Sequence, residues 1–287
     1  MNRRGFSLIE LLVGMVLVSA VGLSIYQLLS TNQRLYRQQS ERVDLNSTLR
    51  GAVSILPSEL REANARDSME SDLAAISSTA ISYKAMRSLG VLCLPPVSAA
   101  GTGTITLWRS MIYGIRGIDP TRDSIMVFAE RDPGTRTDNY WIHANVVTAT
   151  PGTLCPAAAP SLTLALNNVY PSGGLAHALA GAPIRTFEMM QVLTYTDGLG
   201  DDWLGARQYV KGTGWTTTQP VIGPLESGGL QFTYFDSLGV ATTTPTEVAR
   251  IGVTVAGMTQ GVVRRGSSMA RLVDTLATHV ALRNNTR

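Results

Sequence analysis

Residues 6–29 form an apolar run that holds a single charged side chain, Glu10. As a helix rising 1.5 Å per residue it would measure about 36 Å, enough to cross the roughly 30 Å hydrocarbon layer of a bilayer. An acid inside such a span costs about 2.5–3.5 kcal/mol on insertion scales, so it calls for a compensating partner. A secretory signal peptide has no acid in its apolar middle and places its small residues after that middle, at the cleavage site. Here the small residue, Gly5, precedes the run and follows Arg3 and Arg4 directly. The run is therefore expected to remain with the mature chain and to tether whatever folds after it.

In this stretch Gly5, Phe6 and Glu10 match, position for position, a basic leader ending in glycine, then phenylalanine, then an apolar helix with glutamate as its fifth residue. At these residues the chain resembles the type IV pilin and type II secretion pseudopilin family. The resemblance implies that residues 1–5 are a leader peptide, cut after Gly5 by a membrane-embedded prepilin peptidase that also methylates the new amino terminus on Phe6. A mature chain of 282 residues would remain. It further implies partnership with other minor and major pilin or pseudopilin subunits.

Glu10 has a physical role that follows from its surroundings. In a bundle of apolar helices its carboxylate can pair with the Phe6 amine of a neighbouring subunit, or with that of its own chain, which offsets part of the desolvation cost. Pairing with a neighbour also fixes axial register, as one buried polar group does in a coiled coil. Glu10 is thus read as an assembly determinant. Arg3 and Arg4 hold the leader in the cytoplasm, so the chain beyond residue 29 is expected outside the inner membrane, in the periplasm or in the assembled filament.

The formal net charge is +3, and removal of Arg3 and Arg4 lowers it to +1, so the exported part is close to neutral. Lys84 and Lys211 are the only lysines, and the arginine excess is not by itself a nucleic-acid footprint. Cys93 and Cys155, the only cysteines, fall in an oxidising compartment. A disulfide between them is the economical pairing; on the chain-entropy model its loop of about 60 residues is worth around 4 kcal/mol. Two buried free thiols are the alternative.

Past the membrane-spanning helix at residues 6–29, residues 30–63 continue the helix in amphipathic form. Leu45, Leu49, Val53, Leu56, Leu60 and Ala63 recur every three or four residues as one stripe. Pro57 predicts a kink or break just before it. Residues 64–183, rich in Ser, Ala, Gly, Thr and Pro, read as a loop-rich β insertion with short strands at 104–108, 124–130 and 140–148. Residues 184–287 read as the antiparallel sheet region of the same globular domain, with strands at 184–196, 230–236, 247–255 and 276–282 and a turn at Asp236 to Gly239. The expected fold class is α+β: a long N-terminal helix packed on an antiparallel sheet. The order of these last strands is similar to PilW-like minor pilins and J-type minor pseudopilins.

Catalytic motifs are absent from the sequence, and His143, His177 and His279 have no ligand spacing, so the chain does not read as an enzyme. Asp197, Asp201 and Asp202, interleaved with Gly198 and Gly200, form a weak calcium candidate, with an acidic hairpin turn as the other reading. Arg109 and Arg116 with Trp108 and Trp141 are compatible with contact to single-stranded nucleic acid or a host surface, and equally with ordinary sheet faces. The leading expectation is a minor pilin that inserts into or primes a pilus tip, with a J-type pseudopilin of a secretion system as the alternative and a tip adhesin or DNA-binding subunit as a second.

Overall fold

The computed structural model describes residues 8–65, 71–132, 134–135, 138–265 and 268–282. One helix, α1 (Leu8–Leu60), opens the chain and is about 80 Å long at 1.5 Å per residue. Among the described residues none from Leu8 to Leu29 is buried against the rest of the protein. In its second half Leu45, Leu49, Ala52, Leu56 and Leu60 are buried, one stripe on one face. Val53 was expected on that stripe and is only half-buried, because at 100° per residue it falls on the flank while Ala52 faces the sheet. Nor does Pro57 end the helix. It lies in the last turn, where its missing N–H deprives only the Val53 carbonyl, and Arg61 N still donates to Pro57 O at 3.0 Å.

The first part of the domain comprises β1 (Leu73–Ile76), β2 (Ala80–Val91), β3 (Val97–Ala99) and β4 (Thr102–Trp108). β5 (Tyr113–Gly114), β6 (Ser124–Ala129), β7 (Tyr140–Cys155) and β8 (Ala159–Tyr170) follow. The rest comprises β9 (Pro183–Thr196), β10 (Asp202–Val210), β11 (Gly214–Trp215), β12 (Gln219–Phe235) and β13 (Arg250–Met258). A separate hairpin of β14 (Val263–Arg265) and β15 (Ser268–Ala270) precedes the final strand, β16 (Val273–Ala281). All pairings are antiparallel, and every strand but those of the hairpin belongs to one sheet.

β9 organises that sheet. Along one edge it pairs with β2 from Ala80↔Leu193 to Val91↔Pro183. Along the other edge its second half pairs with β10 and its first half with β6. From β10 the sheet continues through β12 and β13 to β16, and from β6 through β7, β8 and β4 to β3. The second wing returns to its origin, because Leu92, just past β2, bridges Leu107 of β4 and Cys93 N donates to Thr106 O at 2.9 Å. A closed circuit of strands results.

Each wing has its own core. One gathers the α1 stripe with Ile81, Tyr83, Leu225, Leu230, Phe232, Val253 and Val255. The other fills the closed circuit with Leu92, Ile105, Leu107, Ile125, Ile142, Leu164 and Ile184. Residues 64–183 therefore differ from a loop-rich insertion: β2, β7 and β8 are long, and β2 pairs with the last third of the chain along almost its whole length. Only 140–148 of β7 was expected from sequence; β2 and β8 were hidden because Lys84 and Arg87 in the one and Asn167 and Asn168 in the other read as surface or loop residues until the strands that flank them are in place.

Candidate assembly site at the N-terminal helix

Glu10 lies in the first turn of α1, where the partial positive charge of a helix N-terminus favours a carboxylate. Leu8, Ile9, Leu11, Leu12 and Val13 around it are each more than half exposed. Nothing between Leu8 and Leu29 is buried against the rest of the chain, so a continuous apolar surface faces outward, which in a folded protein marks a partner or a membrane. The two serines in this stretch do not spoil it. Ser19 Oγ donates to Met15 O at 2.7 Å and Ser24 Oγ to Ala20 O at 2.9 Å, so the helix satisfies its own hydroxyls, as lipid requires. By length and composition α1 can cross a membrane. Gly5 and Phe6 lie outside the described residues.

The prokaryotic N-terminal methylation motif matches residues 1–26, a segment that contains the Gly5–Phe6 step and Glu10 together. The N terminus is thus similar to those of type IV pilins and pseudopilins, over these residues. Such a motif implies recognition by a prepilin peptidase and contact with other pilin-type subunits, and with the apolar helix it fits a membrane-anchored protein. No curated protein and no solved structure matches the chain.

The pilin-like helix is joined to its domain by charge as well as by the apolar stripe. Glu59 of α1 accepts from Arg87 Nη1 at 3.4 Å, and Arg87 Nε pairs with Glu188 of β9. Glu188 Oε2 in turn accepts from Arg116 at 2.9 Å, and Arg116 grips the fully buried Asp123 with both nitrogens, at 2.6 and 2.8 Å. Burial and the nearby Glu59 push the Tyr83 hydroxyl, beside this chain of charges, well above its ordinary pKa. Lys211 closes the same region from the β10–β11 turn, with its ammonium donating to the carbonyls of Pro120, Asp123 and Val146. Burial lowers its pKa.

Of these residues only Arg116 was singled out from sequence, as a candidate surface contact rather than a member of an ion network; Glu59, Arg87, Asp123 and Glu188 were not. The available signal was a charge inside an apolar strand, Arg87 in β2 and Glu188 in β9, but nothing local reveals which charge answers which.

The other candidate residues are dispersed. Cys93 and Cys155 are both buried and bonded to each other, 5.5 Å apart at Cα, and the bond staples the end of β2 to the end of β7. Asp197 closes the β9–β10 turn by accepting from Leu199 N at 2.8 Å, Asp201 N at 3.0 Å and Trp203 Nε1 at 2.9 Å; the Trp203 bond contributes most to lowering its pKa. Asp201 pairs with Arg271 at 2.6 Å, while Asp202 accepts from Thr196 Oγ1 at 2.7 Å and Gly228 N at 3.2 Å. These three carboxylates point to separate donors, and among the described residues no group of three metal-ligating side chains converges.

The arginine and tryptophan set does not form one surface. Arg116 is held inside the ion network, and Arg185 rather than Arg109 stacks on Trp141, with its guanidinium carbon 4.9 Å from the ring centre. Trp108 is level with Gly152 of β7 through Ser161, eleven residues from Trp141, or about 36 Å of extended strand. His177 Nδ1 lies 2.8 Å from Tyr140 Oη, His143 packs edge-on against Phe187 and His279 against Phe235, each in a different part of the sheet.

Proposed function

We propose that the protein is a minor type IV pilin. Made as a prepilin, it is anchored in the inner membrane by α1 with its N-terminus in the cytoplasm and its domain in the periplasm, and it inserts into or primes the tip of a filament without catalysing a reaction. The observation that carries this reading is the pairing of the methylation motif with an acid on a helix that is otherwise apolar and uncovered from Leu8 to Leu29. Lateral packing against like helices covers that surface and supplies an amine to Glu10. The bulk of the domain supports a specialised subunit over the repeating one: two cores and a sheet of fourteen strands are a large load for every position of a filament. A J-type pseudopilin of a type II secretion system satisfies the same observation.

Mass spectrometry of the protein recovered from a pilus fraction tests the reading. Cleavage between Gly5 and Phe6 and a methylated Phe6 amine are expected. An intact leader in cells with an active prepilin peptidase would remove it, and recovery only with secretion-system subunits would select the pseudopilin.

A further inference from the structure

The end of the domain that faces the anchor can be located from its contacts with α1. A Cβ added to Gly257 of β13 would lie 2.9 Å from Leu45 Cδ1 and 3.2 Å from Leu49 Cδ2. Four residues later, Gly261 N donates to Glu41 Oε2 at 3.1 Å. The chain leaving β13 thus descends α1 by about one turn towards its uncovered half, and the β14–β15 hairpin departs from that level. Thr259 and Leu272 close the base of the excursion, with Thr259 N donating to Leu272 O at 2.9 Å and Leu272 N to Thr259 Oγ1 at 3.0 Å. Next to them, the Arg271–Asp201 pair brings the β9–β10 turn to the same pole.

These turns expose large apolar side chains where none is needed for folding: Leu199 is 90% exposed, Val262 58% and Met269 63%. Between the apolar half of α1 and Glu41 the helix presents Arg34, Tyr36 and Arg37, all exposed, and no acid occurs between Glu10 and Glu41. Arg34 and Arg37 lie about 8 and 12 Å along the helix beyond Leu29, at and just past the outer edge of a headgroup layer roughly 5–8 Å deep, from where their long side chains reach back to lipid phosphates. Tyrosine and arginine at that depth are the side chains that interfaces favour. Glu41 is about 18 Å beyond Leu29; a hairpin with three-residue strands is about 10 Å long, and the ~20° tilt usual for membrane helices brings one side of the pole lower still.

We propose that this pole is a lipid-docking surface, on which Arg34 and Arg37 bind phosphates of anionic phospholipids while Leu199, Val262 and Met269 enter the headgroup boundary. The proposal rests on the membrane-anchor reading above. Docking holds the domain against the bilayer before assembly, and extraction into a filament must break it. Continuity with the apolar span and the run of positive charge select lipid as the occupant.

The test uses the full chain, one copy per nanodisc, in phosphatidylcholine with or without phosphatidylglycerol. Because Cys93 and Cys155 are bonded, an introduced thiol is the only one available for an environment-sensitive dye. Met269→Cys and Leu199→Cys report on the pole. Leu238→Cys, in the turn at the far end of the β12–β13 pair, is the control. Lipids spin-labelled at the headgroup should quench the dye at 269 and 199 several-fold more than at 238, more strongly in anionic discs, and Arg34→Gln with Arg37→Gln should abolish the anionic preference. Equally weak quenching at all three positions would overturn the proposal, as would quenching at 269 that appears only with two copies per disc, which would mark a contact between copies. Failure of the chain to enter discs at all would remove the anchor reading, and this proposal with it.

Discussion

A carboxylate on an otherwise lipid-like helix separates two events that an all-apolar anchor would leave joined. Glu10→Ala makes the span more apolar while deleting the group that can pair with a subunit amine. The variant is expected to enter the membrane fraction normally but to co-purify less with other subunits and to lower filament number. Unchanged filament number and co-purification would show that Glu10 is no assembly contact. The buried charges of the domain obey a different logic. Glu188 is 3% exposed and joins Arg87 to Arg116, so Glu188→Gln leaves Arg87 without its main buried counter-charge, a loss on the order of 3–5 kcal/mol. Glu59, 37% exposed at the edge of the same network, should cost under about 1 kcal/mol when changed to Gln. Urea unfolding of the two variants distinguishes them; equal losses would mean that the network is not organised around Glu188.

Between elements, the contact that matters most is α1 on β13, β16 and β12. Leu49 is 3% exposed and Arg50, one step round the helix, is exposed. Leu49→Asp buries a charge without a partner and should remove several kcal/mol, a large share of the 5–15 kcal/mol typical of a domain, whereas Arg50→Asp should be nearly neutral. Circular dichroism melts of the chain from Arg34 onward, lacking the apolar half of α1, make the comparison, and coincident melting curves would show that the helix does not pack through this face. The helix was legible in the sequence because its signal is local: an apolar run, then a stripe of period 3.6. Glu10 was legible for the same reason, as one acid against an apolar background. Strands β4, β6, β9, β13 and β16, the first half of β7 and the last third of β12 announced themselves through β-branched and aromatic residues. β2 did not, since Lys84 and Arg87 make it read as a surface segment until Asp72 and Glu188 are brought beside them. β8 and β10 were missed too, being interrupted by Asn167 and Asn168 and by Gly205, which suit this fold only through cross-strand neighbours. The ion network could not be read at all, because Arg87 and Glu188 lie 101 residues apart and belong to strands whose pairing no local window contains.

For the whole molecule, the decisive feature is that both cores are built on the same two strands. β2 supplies Ile81 and Tyr83 to the core under α1 and leads directly into Leu92 of the closed circuit; β9 supplies Val192 to the first and Ile184 to the second. Neither wing can lose β2 or β9 and remain intact, so the domain should unfold in one cooperative transition despite having two cores. The disulfide tests this. Cys93 and Cys155 are 62 residues apart and tie together only strands of the closed circuit, and on the chain-entropy model their cross-link contributes about 4 kcal/mol by restricting the unfolded chain. Cys93→Ser with Cys155→Ser, or reduction of the native protein, should lower the melting temperature of both wings together. With Trp203 and Trp215 of the other wing changed to Phe, the fluorescence of Trp108 and Trp141 reports on the circuit, and far-ultraviolet ellipticity at 222 nm, dominated by α1, reports on the helix side. The two probes should shift by the same amount. If fluorescence melts early while helical signal stays at the native midpoint, the two cores are independent folding units and the shared strands do not couple them.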